Sequence, residues 1–156
     1  RGLAAVGLLA TAVLEVARLY GGLEHAVYDR LTRAYEHDTV AGYALYALGG
    51  TITVFAFGPT VAVPALFMLT LGDPVSGMLS TGGLRPIARP RVLVGTFLVC
   101  LLLALPFVPP LAAVAGALGA TVADGVKPTV RGYVVDDNLT IPLLAAAAMQ
   151  AALSLG

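Results

Sequence analysis

Long apolar runs dominate this chain, in place of the strict alternation of a half-buried strand or the one-sided stripe of a surface helix. They extend from Leu3 to Tyr20, Val40 to Phe57, Thr60 to Leu79, Val92 to Val108, Leu111 to Val126 and Leu139 to Leu155. Each is about the length of a helical bilayer crossing, which takes roughly 20 residues, with the fifth on the short side. The pattern predicts an all-α fold, a polytopic transmembrane bundle of about six helices forming one domain over residues 1–156. No internal repeat or low-complexity linker divides it.

The connections differ in kind. Gly58-Pro59 and the stretch Pro106 to Pro110 predict tight turns, whereas the other three connections are longer and charged. Arg18, Arg30, Arg33, Arg85, Arg89, Arg91, Lys127 and Arg131 lie in or beside those longer loops, and of the nine basic residues only Arg1 falls on the other side. The positive-inside rule then makes the charged loops cytoplasmic and puts both Arg1 and Gly156 outside. An external N-terminus, with Arg1 where a start Met would stand, is what a first helix lying upstream of this sequence would give. No charged n-region or small-residue cleavage site precedes the first run, so no signal peptide is expected. Tyr20, Tyr28, Tyr35 and Tyr133 fall near segment ends, as interfacial aromatics do. The stretch Glu24 to Asp38 is amphipathic and predicts a helix lying in the interface. His25 and His37 within it show no metal-ligand spacing.

Composition agrees. The chain is 58% hydrophobic and 12% charged, about half the charged content of a soluble domain, and its mean hydropathy is +0.90. Its formal net charge is zero, which argues against nucleic acid as a partner and leaves the lipid bilayer as the expected surroundings. Cys100, the single cysteine, allows neither an internal disulfide nor a thiolate metal site and is expected as a small buried hydrophobe. The fifth segment is rich in Ala and Gly, and Ala145 to Ala148 repeat that theme in the sixth, so these two should pack closely in the middle of the bundle.

Carboxylates beside membrane helices are costly, which makes them the first place to look for chemistry. Asp73 precedes Pro74, and proline should kink or break the helix there. Irregular backbone at that depth is tolerated only against protein or a water-filled cavity, a setting in which a carboxylate can hold Mg²⁺ between triphosphate oxygens. Asp136-Asp137-Asn138 opens the sixth segment. These residues suit helix N-capping, and the pair of acids equally suits a cation-bound phosphate, the two roles being divisible among them. The loop from Ser80 to Arg91 contains Gly82, Gly83, Arg85, Arg89 and Arg91. Glycines admit phosphate to backbone amides and guanidinium groups grip it bidentately, while ordinary positive-inside topology explains the same arginines without a ligand. Glu15 and Arg18, three apart on one helical face, read as an ion pair at the membrane edge. Asp73, Asp124, Asp136 and Asp137 are expected near one membrane face, with the two Pro-containing turns at the other.

The order of these motifs resembles the polyprenol, dolichol and phytol kinase family. Glu15-Val16-Ala17-Arg18, Arg33 to Glu36 followed by Gly42-Tyr43, Gly72-Asp73 with its glycine-rich loop, and Asp136-Asp137-Asn138-Leu139-Thr140-Ile141-Pro142 carry the resemblance over nearly the whole chain. It implies a membrane enzyme that uses CTP and Mg²⁺ to phosphorylate the terminal hydroxyl of an isoprenoid alcohol. In that reading Asp73 and Asp136 hold metal, and Asp136 or Asp137 orients the alcohol, with Asp137 as base. Arg85, Arg89, Arg91, Gly82, Gly83 and Gly95 serve the nucleotide, and Gly72, Asn138, Glu15 and Arg18 belong to the surrounding motifs. Val94 stands where the family has a glutamate, and Asp124 is the nearest counterpart of another. A CTP:lipid-phosphate cytidylyltransferase would use the same groups, and a non-catalytic membrane subunit would keep only the packing.

Overall fold

The computed structural model describes residues 1–21, 39–80, 87–126, 129–130 and 133–155. The expected interfacial helix over Glu24 to Asp38, with His25 and His37, lies outside the described residues, as do Gly82, Gly83 and Arg85. Among those described, six apolar helices follow one another: α1 (Gly2–Gly21), α2 (Gly42–Ala56), α3 (Pro59–Leu79), α4 (Pro90–Ala104), α5 (Pro110–Gly125) and α6 (Asp137–Leu155). A two-stranded antiparallel ladder, β1 (Thr129–Val130) with β2 (Tyr133–Val134), pairs Thr129 with Val134 and Val130 with Tyr133 between α5 and α6. The apolar pattern gave no sign of this hairpin, because two residues per strand are too few to show alternation.

Proline sets three of the helix starts. Pro59, Pro90 and Pro110 each occupy the first turn, where the missing amide would have had no intrahelical partner and the fixed φ is already helical. At Asp73 the expected break does not occur. Asp73 keeps helical angles (φ −60°, ψ −49°), and the disturbance is a π turn over Met68–Gly72 in which the Asp73 amide donates to the Met68 carbonyl, five residues back. In an unbroken α-helix the Pro74 ring would press on the Thr70 carbonyl. A π turn relieves that clash without ending the helix.

By length and apolarity, α1, α3 and α6 can cross a membrane, with 19, 21 and 19 residues in their apolar stretches. The chain is therefore a multi-pass membrane protein. The other three helices have 15 to 16 residues, about 22–24 Å at 1.5 Å per residue, against a hydrocarbon core of ~30 Å. About six crossings were expected, the fifth on the short side; the apolar runs are longer than the helices because they continue into the turns: α4 ends at Ala104, and Leu105 to Val108 of that run form the turn into α5.

The core joins Val61, Ala65, Met68 and Leu69 of α3, Cys100 and Ala104 of α4, Ala112, Ala113, Ala117, Ala120 and Ala123 of α5, and Ile141, Ala145, Ala146 and Met149 of α6. The α5–α6 contact is the most extensive. Lipid supplies no hydrophobic drive between helices, so association depends on close approach and dispersion. At Gly119 a Cβ would stand 2.7 Å from the Leu144 carbonyl oxygen and 3.0 Å from its carbon, backbone atoms that cannot rotate away. Gly119→Ala should cost about 2 kcal/mol of stability in detergent. Gly77, where an added Cβ meets nothing within 4 Å, is the control: Gly77→Ala should be neutral or gain up to ~1 kcal/mol from helix propensity. Equal midpoints for the two variants in thermal unfolding would refute the packing argument.

Helix α1 is peripheral, with 6% of its apolar stretch buried. It lies antiparallel to α2, whose Thr51 hydroxyl donates to the Ala4 carbonyl (3.1 Å) and whose Val54 carbonyl accepts from Arg1 Nε (3.2 Å). At the other end the contact is polar and centred on Glu15.

Candidate functional site

Asp73, Asp124 and Asp137 come from three different helices, and each offers a carboxylate oxygen to a group whose atoms all lie within 4.8 Å of one another. Asp73 follows the π turn of α3, Asp124 is in the last turn of α5, and Asp137 opens α6. Asp124 and Asp137 are buried and Asp73 half-buried. The Pro59 and Pro110 turns stand at the opposite ends of α3 and α5, Pro59 being about 21 Å along the axis from Asp73 at 1.5 Å per residue. The acids therefore gather at one end of the bundle and the proline turns at the other.

Helix phase separates the two adjacent acids. Asp137 falls on the buried face of α6 with Ile141, Ala145 and Met149, the i, i+4, i+8, i+12 row that meets α5. Asp136, one residue earlier, is the cap. Its Oδ1 accepts from the Asn138 amide (2.9 Å), and its carbonyl accepts from the Leu139 and Thr140 amides (both 3.3 Å) and the Thr140 hydroxyl (3.2 Å). Pro142 has no amide for the Asn138 carbonyl four residues back, and that oxygen lies against α2 at Gly49, where a Cβ would be 2.9 Å from it.

Hydroxyl groups surround Asp124. The Ser76 Oγ of α3 donates to Asp124 Oδ2 at short range, and Thr96 Oγ1 of α4 donates to the same oxygen at 3.5 Å. Both hydroxyl residues are buried. Next to Asp124, the Gly125 carbonyl accepts from the Ala88 amide (2.9 Å), and Val126 forms a bridge with Ile87. This stitch ties the chain entering α4 to the acidic end of α5. Arg89 is the N-cap residue of α4, half-buried, and Arg91 is exposed. Gly72 and Gly95 serve packing: an added Cβ at Gly72 would be 3.0 Å from Cys100 Sγ, and one at Gly95 would meet the Leu79 side chain. Val94 is 58% exposed on the outward face of α4, away from the acids' side, which Thr96 marks.

Glu15 and Arg18 form a separate centre. Arg18 Nη2 and Nε reach Glu15 at 2.6 and 3.2 Å, the Ala41 amide donates to Glu15 Oε1 at 2.8 Å, and the Tyr43 hydroxyl donates to Oε2 at short range. Arg18 also donates to the Thr39 carbonyl at 2.6 Å. The ion pair read from the sequence is present, and its further role is to cap α2 from α1.

Sequence reasoning did not find Ser76, Thr96 or the Tyr43–Glu15 contact. A hydroxyl in an apolar helix carries no pattern of its own, although Ser76 stands three residues after Asp73, which places it on the same helical side.

The donor set suits a hard divalent cation. Three carboxylates supply charged oxygens, the ligand type that Mg²⁺ and Mn²⁺ prefer. Opposite ligands on one Mg²⁺ stand about 4.2 Å apart at 2.1 Å per bond, and these oxygens all lie within 4.8 Å of one another. Compared with protein-family models, curated proteins and solved structures, the chain finds no match in any of the three.

Proposed function

We propose that this protein is a cation-dependent phosphotransferase that moves the γ-phosphoryl group of CTP to the terminal hydroxyl of an isoprenoid alcohol, with all six helices set in the membrane and the acidic end facing the cytoplasm. One observation carries the reading: Asp73, Asp124 and Asp137, far apart in sequence, meet at one end of an apolar bundle. Buried acids brought together in a membrane protein are costly unless they do something. The resemblance of Gly72-Asp73 and of Asp136 to Pro142 supplies the nucleotide and the alcohol.

Mg²⁺ held by Asp73, Asp124 and Asp137 would neutralise charge on the triphosphate, the largest requirement of phosphoryl transfer. The chain's own groups do the rest. Asp136 closes the first turn of α6 and so fixes the direction of Asp137. The Ala88–Gly125 stitch keeps Arg89 and Arg91 beside the end of α5, where their charge favours triphosphate. Asp137 accepts the hydroxyl proton as the alcohol oxygen bonds to phosphorus and CDP departs. The isoprenoid tail stays in the bilayer, so only its hydroxyl end has to reach the acids.

The test is label transfer by purified protein in detergent, with Mg²⁺ and a long-chain isoprenoid alcohol, using CTP labelled either in the base or at the γ-phosphate. The γ label should enter lipid and the base label should not. Base label entering an added lipid phosphate would identify a cytidylyltransferase instead. No transfer of either label, together with no binding of CTP and Mg²⁺, would mark a non-catalytic membrane subunit.

A further inference from the structure

We infer that Ser76 and Thr96 are positioning residues that hold the Asp124 carboxylate as a cation ligand, an inference that rests on the proposed cation reading and extends it to the hydroxyls that bond to the ligand. Both hydroxyls converge on one oxygen, Asp124 Oδ2, from two helices, α3 and α4, that do not carry Asp124 itself. Asp124 sits in the last turn of α5, where a helix end leaves carbonyl oxygens rather than amides and therefore offers a carboxylate no backbone donors. Side-chain hydroxyls provide them here.

The arrangement also couples the site to the bundle. Ser76 lies one turn beyond Asp73 on α3, so the helix that brings one carboxylate also orients a second. Thr96 lies on the buried face of α4 with Val92 and Cys100, and its bond to Asp124 links α4 to the site without contributing a charge. Partners of metal-binding carboxylates commonly govern affinity in this way, and their loss typically weakens binding 10- to 100-fold. The Thr96 bond, at 3.5 Å, stands at the outer limit of a hydrogen bond, so Ser76 should matter more.

The experiment is Mn²⁺ binding to the full 156-residue chain in detergent, with free Mn²⁺ read by electron paramagnetic resonance and unfolding followed on the same samples. Ser76→Ala should weaken Mn²⁺ binding tenfold or more with little change in unfolding midpoint, Thr96→Val should weaken it about threefold, and Ser76→Thr, which keeps the hydroxyl, should restore it. Unchanged Mn²⁺ affinity in both Ser76→Ala and Thr96→Val would overturn the positioning role while leaving the cation site standing. A wild-type chain that binds no Mn²⁺ would overturn the cation reading and this inference with it. Should Ser76→Ala fail to fold, Thr96→Val decides alone, because it preserves side-chain shape and removes only the hydroxyl.

Discussion

If the protein is the phosphotransferase proposed above, Asp73→Asn should reduce γ-phosphoryl transfer to lipid about a thousandfold, equivalent to ~4 kcal/mol in the transition state at 1.36 kcal/mol per decade. The substitution keeps volume and helix position and removes one of three negative charges that can hold a cation. Asp73 is only half-buried and opens the second half of α3 without being its core, so the variant should still fold and extract like the wild type. Asp136→Asn provides the contrast, since asparagine caps a helix as well as aspartate does; it should lose no more than about tenfold. Turnover near wild type in Asp73→Asn, with normal extraction as the control, would remove Asp73 from the site. Equal losses in Asp73→Asn and Asp136→Asn would contradict the assignment of Asp136 to the cap of α6 and not to the acidic group.

The largest effect on stability is expected at the other polar centre. Glu15→Ala should destabilise the protein by about 4 kcal/mol, because it removes the carboxylate from a buried ion pair. Here the loss is compounded: besides Arg18, the Ala41 amide and the Tyr43 hydroxyl lose their acceptor. Glu15→Gln, which retains an oxygen for one donor, should fall between. Unfolding in mixed micelles, monitored by circular dichroism, provides the measurement. A loss below ~1 kcal/mol would mean that the pair behaves like an exposed surface salt bridge and does not fasten α1 to α2.

The helices were legible in the sequence because proline and glycine punctuate it. Gly58-Pro59 and Pro106 to Pro110 end and begin helices wherever an apolar run must turn, and Pro59 and Pro110 stand in the first turns of α3 and α5. Asp73 and Asp137 were legible as candidate chemistry because charge in an apolar chain is conspicuous. The choice of Asp137 over Asp136 for the acidic group was not, since beyond its first turn α6 has no charged residue and only Gln150 and Ser154 as polar positions, near its far end, too few to announce the phase of its start. Asp124 was visible as an acid at the end of a small-residue helix, but its place beside Asp73 and Asp137 depends on the packing of three helices. The hairpin and the π turn were hidden for another reason: each is a local solution to a constraint, a short connection or the Pro74 ring, and leaves the hydropathy profile unchanged.

The π turn has an angular consequence. Met68–Gly72 accommodates one residue more than the same turn of α-helix would, and each residue of an α-helix corresponds to a rotation of about 100°. The extra residue is taken up within the turn, so the part of α3 from Pro59 to Phe67 and the part from Asp73 to Leu79 keep the relative azimuth they would have in an unbroken α-helix with one residue fewer between them. The first is oriented by the core it fills with Val61 and Ala65, and the second by the company Asp73 and Ser76 keep at the acidic end. Deleting any one of the five residues from Met68 to Gly72 would leave a helix just as apolar and only ~1.5 Å shorter. Because the turn already holds one residue in excess, the shortened segment would close as ordinary α-helix with Asp73 still turned toward Asp124 and Asp137, and only a second deletion would turn it by about 100°, away from them. In this helix the residue count between core and site acts as a dial, and the π turn absorbs the one residue that would otherwise turn the two halves apart.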